Sequence, residues 1–265
     1  MARTMRLAAL AAAATLVVPA VAAAGELTLH PSGFGEKTYA AWKAHEGQPD
    51  SNGNANQALY LQKGVPTAQF VSANAVVRGV AGEPLSFLTG LSWEHRNDSH
   101  CGAGAPRWNV FVRDPNGDPR TIFLGCAASA HTPGSQPGWT RDSYPGPAID
   151  AQAQAQTGFP ASDLTLRGLV INFDEGNDLA FPCPNPGVNC VYLDNIIVND
   201  HCWTGAQDNG SNAPTAADCT PAAFSPFALG FPTVAPTVDD GLLAELGDLF
   251  PEVAPTDWVF YPNIL

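Results

Sequence analysis

Ionisable and aromatic side chains are concentrated in the stretch WEHRNDSHCGAGAPRWNV, which spans residues 93–110. As a binding site, this stretch would use Trp93 or Trp108 to stack on the flat face of a sugar ring. The polar side chains expected to hydrogen-bond the sugar hydroxyls are Asp98, Arg107 and Asn109. Such a mixture of apolar and polar groups is typical of ligand pockets.

The same stretch also suggests two other interpretations. In an enzyme, His95, His100 or His131 would act as general acid or base beside a neighbouring carboxylate. In a purely structural loop, ion pairs would hold the backbone and both Trp side chains would lie in the core. The nucleophile and phosphate-binding patterns GxSxG, HExxH and GxxxxGK[ST] are absent from the sequence. We therefore favour binding over catalysis, and the enzyme class stays open.

A second polar stretch, HTPGSQPGWTRDSYPG, spans residues 131–146 and is rich in Gly and Pro. It predicts a long loop, and long ordered loops on β-sandwiches often carry binding residues. Trp139 and Tyr144 are its predicted ligand contacts. The alternative is a surface loop with no ligand.

Asp194 interrupts the apolar stretch VYLDNIIVND. By the two-residue period of a strand, it shares a face with Tyr192, Ile196 and Val198. A carboxylate on an apolar face needs a cation, donated hydrogen bonds or a proton. Asp194 is therefore a candidate ligand of a structural calcium ion. In the alternative, it accepts backbone N–H groups or pairs with an Arg.

Six cysteines lie in the sequence, and their even number favours disulfides in an exported chain. Zinc is the rival interpretation, but CxxC pairs, the usual zinc signature, are missing. Six cysteines allow 15 pairings. We expect each cysteine to bond its nearest neighbour, because each such pair encloses a turn-rich loop. The expected pairs are Cys101 with Cys126, Cys183 with Cys190, and Cys202 with Cys219.

Residues 1–24 have a basic start, an apolar stretch and small residues at the end, as in a secretory signal peptide. We expect a protein secreted to the periplasm or the cell exterior. Its formal charge is −13, which becomes about −15 without the two Arg residues of the signal. This charge disfavours nucleic acid and anionic membrane surfaces as partners. Neutral ligands and divalent cations remain open.

Short apolar stretches broken by Gly, Pro, Asn and Asp continue to about residue 202, and helical periodicity is missing there. This pattern predicts an all-β sandwich of antiparallel strands over residues 25–202. The predicted strands are Gln57–Gln62, Gln69–Arg78, Leu85–His95, Arg107–Arg113, Arg120–Cys126, Thr165–Phe173 and Val191–Asn199. An Asn-Gly turn is expected to join the fourth and fifth of them.

Residues 203–265 form a different segment, rich in Ala and Pro. Leu242, Leu243, Leu246, Leu249 and Phe250 make one apolar stripe in it. The spacing predicts a short helix that ends at Pro251. The segment is expected to be a Pro-rich C-terminal extension attached through Cys202 and Cys219.

Two parts of the chain carry a resemblance to known domains. AAWKAHEGQPDSNGNANQALYLQK and LRGLVINFDEGNDLAFPCPNPGVNCVYLDNIIVN are similar to the opening and closing parts of jelly-roll carbohydrate-binding modules and related galactose-binding-like domains. The resemblance covers roughly residues 33–200 and depends mostly on pattern. It implies a jelly-roll fold, a glycan or other neutral ligand, and a calcium ion held partly by Asp194. The leading hypothesis is a secreted carbohydrate-binding protein; a secreted hydrolase or lyase and a structural protein are the alternatives.

Overall fold

The computed structural model describes residues 26–49, 55–176, 189–209 and 214–219. A five-stranded sheet there contains β1 (Thr28–Phe34), β4 (Ser72–Arg78), β6 (Arg107–Arg113), β7 (Pro119–Gly125) and β10 (Thr165–Phe173). A seven-stranded sheet contains β2 (Thr38–Lys43), β3 (Ala58–Lys63), β5 (Gly90–Arg96), β8 (Ala130–Pro133), β9 (Trp139–Pro145), β11 (Cys190–Val198) and β12 (His201–Trp203). The helices are α1 (Gly146–Thr157) and α2 (Ala216–Cys219).

The two sheets have the strand order of a jelly roll. The five-stranded sheet runs β1-β4-β10-β6-β7, and the other runs β2-β3-β11-β5-β9-β8 with β12 paired to β11. Within them, β4-β10-β6-β7 and β3-β11-β5-β9 form two four-stranded layers, between which the chain crosses as in two interlocked Greek keys. All pairings are antiparallel. The predicted all-β sandwich is confirmed. In the part of the chain that the structure describes, no helix is long and apolar enough to span a membrane.

Alternating side chains build the core between the sheets. Trp108, Val110 and Val112 of β6 point into it and are fully buried. Trp93 of β5 meets Trp108 across the sandwich, with ring centroids 5.1 Å apart. Side chains at the other positions of β6 point away from the core, and the five-stranded sheet therefore has a second, outer face.

A β-bulge in β11 changes the predicted face of Asp194. Asn195 has a φ of +45°, and the register with β5 shifts between Asp194 and Ile197. The extra residue moves the side chains after it to the opposite face. Leu193 and Ile196 both point into the core, whereas Asp194 points to the outer face of the seven-stranded sheet. The prediction that Asp194 shares a face with Ile196 and Val198 is wrong for this reason.

Three other features differ from the predictions. Residues 131–146 are not one long loop, because β8 and β9 lie there and pair with each other. The helix α1 was not predicted, since only Ile149 and Ala153 of its residues are buried and the rest is mainly Ala and Gln. Gly158, at φ +82°, ends that helix in the left-handed conformation that suits glycine. The predicted strand Leu85–His95 begins only at Gly90, after a 3₁₀ turn at Leu85–Phe87.

The expected turn and two expected disulfides are present. Gly117 has a φ of +87° in the hairpin between β6 and β7. The cysteine pairs are Cys101–Cys126 and Cys202–Cys219. Cys190 is also disulfide-bonded, but its expected partner Cys183 lies outside the described residues. The predicted signal peptide and the predicted helix near residues 242–250 lie outside them as well.

Candidate ligand-binding site

A cavity of about 330 Å³ lies on the outer face of the five-stranded sheet. Its floor combines polar side chains with the apolar group Val76, Phe111 and Val170, all from three neighbouring strands, and other Phe side chains form its rim. The polar floor residues are Ser72, Asn74, Asn109 and Asn172, and the rim residues used below are Phe34, Phe70 and Phe123.

Strand register sets the positions of the floor amides. Asn172 of β10 lies opposite Asn74 on one side and Arg107 on the other. Asn109 follows two residues after Arg107 and therefore faces the same way. Arg107 Nε donates to Asn109 Oδ1 at 2.8 Å, and Ser72 Oγ donates to Asn74 Oδ1 at 3.1 Å. Within the described residues, the Asn172 amide makes no side-chain hydrogen bond, so its donor and acceptor are free for a ligand.

Phe70 and Phe123 are unusually exposed for large apolar side chains, which stabilise a fold mainly when they are buried. Their exposed fractions are 68% and 49%, and Tyr39, at 39%, is the only other exposed large apolar residue among those described. Scattered single residues of this kind are normal on a surface. Two beside one cavity, above a floor of amides, indicate a contact surface.

The loop that carries Phe70 is fixed by a buried ammonium group. Lys63 Nζ donates to the carbonyl oxygens of Thr67 at 3.1 Å, Gln69 at 2.5 Å and Asp174 at 2.8 Å. Burial lowers the pKa of Lys63. The Phe70 ring also packs on Phe34, with centroids 5.3 Å apart. This wall of the cavity is therefore preformed.

Phe123 lies on the edge strand β7 and is supported by helix α1. The Gln156 amide donates to the Phe123 carbonyl and accepts its N–H, both at 2.9 Å. The Arg107 guanidinium lies 5.3 Å from the Phe123 ring centroid. These contacts orient the ring without covering it.

Arg107 and Asp174 close one end of the cavity. The guanidinium binds both carboxylate oxygens of Asp174, at 2.6 Å each, and also donates to the carbonyl oxygen of Gly104. In the described lining, Asp174 neutralises Arg107 and the Lys63 ammonium donates to three carbonyls, so both cations are already engaged by the chain. Asp174 is the only carboxylate among its described lining residues.

The predicted binding residues of the stretch 93–110 do not lie in one place. Arg107 and Asn109 line the cavity, whereas Trp93 and Trp108 are 1% exposed in the core and offer no ring face to a ligand. Asp98 accepts a hydrogen bond from Arg96 Nε at 2.6 Å, outside the cavity.

The two predicted contacts in residues 131–146 are also buried. Tyr144 lies in the core and its hydroxyl donates to the Gly125 carbonyl at 2.7 Å; burial and the nearby Asp142 charge raise its pKa to about 12. Trp139 packs with Tyr60 and Tyr192 on the outer face of the other sheet.

Phe70, Phe123, Asn74 and Asn172 were missed as site residues. The alternation of the sequence held a signal for Phe123, because it stands between Ile122 and Leu124, which are core residues. A large apolar side chain on the face opposite the core becomes a binding-site signal when a second one lies beside it. Asn172 also lies between two core residues, Ile171 and Phe173, but a polar residue there is ordinary strand alternation and gave no signal. For Phe70 the chain offers no such pattern, since it lies in a loop.

The three candidate catalytic histidines lie apart from the cavity lining. His95 Nδ1 and His131 Nδ1 contact opposite oxygens of the buried Asp142 carboxylate, at 2.5 and 2.7 Å. His100 Nε2 lies 2.5 Å from Glu175 Oε2. They therefore form two separate groups rather than one cleft around Arg107.

A second buried carboxylate, Glu94, lies on the outer face of the seven-stranded sheet. It pairs with Arg141 and accepts hydrogen bonds from Gln48 Nε2 at 2.6 Å and Ser135 Oγ at 2.8 Å. Arg141 also donates to the Cys219 carbonyl at 2.6 Å. Both charged side chains are almost fully buried, so this group binds the covering segments and is closed to ligands.

Among the described residues, Asp194 accepts hydrogen bonds from the backbone of Gln48 and of Asn195. The N–H of Gln48 donates to Oδ2 at 2.6 Å, and the N–H of Asn195 donates to Oδ1 at 2.7 Å. The second partner is the bulge residue itself. These donors already satisfy the carboxylate in the manner of the alternative to calcium, and an ion would have to use the remaining lone pairs of the oxygens. The calcium site stays a prediction.

Comparisons with known proteins give no match: neither a protein-family model, nor a curated protein, nor a solved structure is significantly similar to the chain.

Proposed function

We propose that this protein is a secreted carbohydrate-binding protein and that the ligand lies in the cavity on the outer face of the five-stranded sheet. The observation that carries the proposal is the pair of exposed rings, Phe70 and Phe123, at the rim of a floor of Asn side chains. Sugar rings combine apolar faces with hydroxyl edges, and they need such a mixture of flat aromatic and hydrogen-bonding groups.

The charges of the cavity favour a neutral ligand. Arg107 is paired with Asp174, and the Lys63 ammonium is bound by three carbonyls. The chain as a whole carries −13, which repels polyanions such as nucleic acids. A volume of 330 Å³ is at the lower end of the range for small-molecule sites, roughly 300–1,000 Å³, and suits a short stretch of sugar rings.

Binding is favoured over hydrolysis by the cavity's acid–base groups. Most glycoside hydrolases use two carboxylates, one of which is a proton donor. In the described lining, Asp174 is the only carboxylate, and both its oxygens are bound by Arg107.

A screen of neutral oligo- and polysaccharides with the purified protein tests the proposal, followed by affinity electrophoresis or calorimetry on the ligands found. We expect Phe70→Ala and Phe123→Ala each to weaken binding about tenfold, which corresponds to about 1.4 kcal/mol for a truncated aromatic contact. Asn172→Ala should also weaken binding, since it removes an amide that is open to the ligand. The free protein should be little affected, because this amide makes no side-chain hydrogen bond within the described residues.

Tyr39→Ala is the matched control, because Tyr39 is the third exposed aromatic but lies in β2 of the other sheet. It should leave affinity unchanged. Running the screen with and without a chelator separates the calcium prediction from the binding site. Absence of binding to every neutral glycan under both conditions contradicts the proposal, and so does an equal loss in the Tyr39 variant.

A further inference from the structure

A cluster of metal-ligating side chains surrounds the Cys101–Cys126 disulfide, and none of its members lines the proposed sugar site. His95, Cys101, Cys126 and Asp142 each offer one ligand atom, and these four atoms all lie within 4.8 Å of one another. His95, Cys126 and Asp142 are buried, whereas Cys101 is partly exposed. Sequence spacing hides the group, because Cys126 and Asp142 lie far along the chain from the stretch that holds His95 and Cys101.

We propose that the dithiol form of this cluster is a zinc site. Two thiolates, one imidazole nitrogen and one carboxylate oxygen make a four-coordinate donor set of the type that zinc prefers. In a tetrahedral zinc site neighbouring ligand atoms are roughly 3.3–3.8 Å apart, given metal–ligand distances of about 2.0–2.3 Å.

The distances around Cys126 already approach that geometry. Its Sγ lies 3.4 Å from Asp142 Oδ2 and 3.9 Å from His95 Nδ1. His95 Nδ1 and Asp142 Oδ2 are 2.5 Å apart, so a movement of roughly 1 Å admits the ion between them.

Outer contacts hold the carboxylate in place. His131 Nδ1 lies 2.7 Å from Asp142 Oδ1, and Ser129 Oγ lies 3.3 Å from the same oxygen. Trp93 Nε1 donates to Oδ2 at 2.9 Å. Metal-ligating side chains are typically oriented by such secondary hydrogen bonds. The positive ion would also compensate buried thiolates, which are otherwise unstable in an apolar interior.

The conversion balances with a dithiol as the reductant. The dithiol gives two electrons and two protons, the Cys101–Cys126 bond breaks into two thiols, and the dithiol closes to its own disulfide. Zn²⁺ then displaces both thiol protons. His95 binds through Nδ1 as the neutral tautomer that carries its proton on Nε2. Disulfide and metal therefore exclude each other at this site.

The other disulfide in the described residues is a matched control. Cys202 and Cys219 lie in an apolar cluster with Ile197 and Ala216. The residues that the structure describes hold no further group of three or more metal-ligating side chains of this kind. Reduction of Cys202–Cys219 thus exposes thiols without a zinc site.

The test is titration of the phosphine-reduced, oxygen-free protein with Co²⁺, then with Zn²⁺. We expect one Co²⁺ per chain, with the thiolate charge-transfer band and the visible bands of tetrahedral cobalt, displaced by Zn²⁺. The unreduced protein should show neither. The Cys202→Ser/Cys219→Ser variant should keep the signal and Cys101→Ser/Cys126→Ser should lose it. His131→Gln should weaken zinc binding about 10- to 100-fold, as expected for a secondary contact.

Near-UV circular dichroism of the reduced protein, with and without Zn²⁺, covers the case in which reduction unfolds the chain. A folded spectrum in both conditions, or one restored by zinc, agrees with the proposal when the cobalt bands are present. A reduced chain that stays unfolded with zinc overturns it, because the site requires the fold. Equal cobalt binding by Cys101→Ser/Cys126→Ser and the wild type overturns it as well.

Discussion

The outer faces of the two sheets differ in how their aromatic and polar side chains are covered. On the seven-stranded sheet, the charged and aromatic side chains Glu94, Arg141 and Tyr60 are buried by other parts of the chain and bonded to them. On the five-stranded sheet, Phe70 and Phe123 stay exposed above amides with spare hydrogen-bonding capacity. Polar groups that the chain satisfies itself hold the fold, and those that it leaves open indicate a ligand. Measurements of stability and binding should therefore separate the two faces.

The largest expected effect is on the covered face. Glu94→Gln leaves the Arg141 guanidinium buried without its counter-charge, so we expect a loss of about 3–5 kcal/mol in the free energy of unfolding. Urea unfolding followed by fluorescence measures it. Two nitrogens of Arg141 have no hydrogen-bond partner within the described residues. The double variant Glu94→Leu/Arg141→Met should therefore be more stable than Glu94→Gln. A loss below about 1 kcal/mol would show that the pair does not support the fold.

A smaller effect is expected from acid at the end of the same sheet. Burial lowers the pKa of His201 in β12, although the Asp208 carbonyl partly opposes this. The unfolded chain then takes up a proton near pH 6.5 while the folded chain still resists it, so stability falls as the pH drops below that value. The slope from one group is at most about 1.4 kcal/mol per pH unit.

Unfolding midpoints at pH 7.5 and 5.5 test the role of His201. His201→Gln should have a smaller decrease in stability between these pH values than the wild type. If both proteins lose the same stability, groups other than His201 control the acid sensitivity.

The smallest expected effect concerns the open face. Phe70→Ala should change the free energy of unfolding by no more than about 0.5 kcal/mol, because an exposed side chain contributes little to the core. Trp108→Ala, at a core position of the same sheet, should cost about 3–5 kcal/mol. Thermal and urea unfolding of both variants give the contrast. A large loss in the Phe70 variant would mean that the ring serves packing rather than a ligand.

Sequence periodicity predicted the strands that bury one apolar face, and Arg107–Arg113 and Thr165–Phe173 match to the residue. It failed for β9, whose Arg141 and Asp142 are buried by ion pairs with residues distant in sequence. The local pattern of apolar and polar residues cannot reveal such distant partners. Helix α1 was not predicted because its Ala and Gln residues have helix propensity but form no apolar stripe.

The candidate site was predicted only in part for a related reason. Arg107 and Asn109 were included because polar residues cluster around them, but Trp93 and Trp108 were assigned to the ligand on residue type alone. Strand parity decides between core and surface, and it places Trp108 on the core side while Asn109 faces outward. Asp194 shows the limit of parity, since the bulge at Asn195 reverses the faces of the side chains after it. Asn tolerates a positive φ, but a single Asn inside an apolar strand does not by itself predict a bulge.

Lys63 has a consequence for where such a protein can work. Many loops are fastened by a divalent ion, which chelating or metal-poor media remove. Here the loop with Phe70 is fastened by an ammonium group that belongs to the chain and is bound by carbonyls of Thr67, Gln69 and Asp174. A covalently tethered cation cannot be washed out or exchanged, so these three carbonyls need no dissolved metal ion to hold them together.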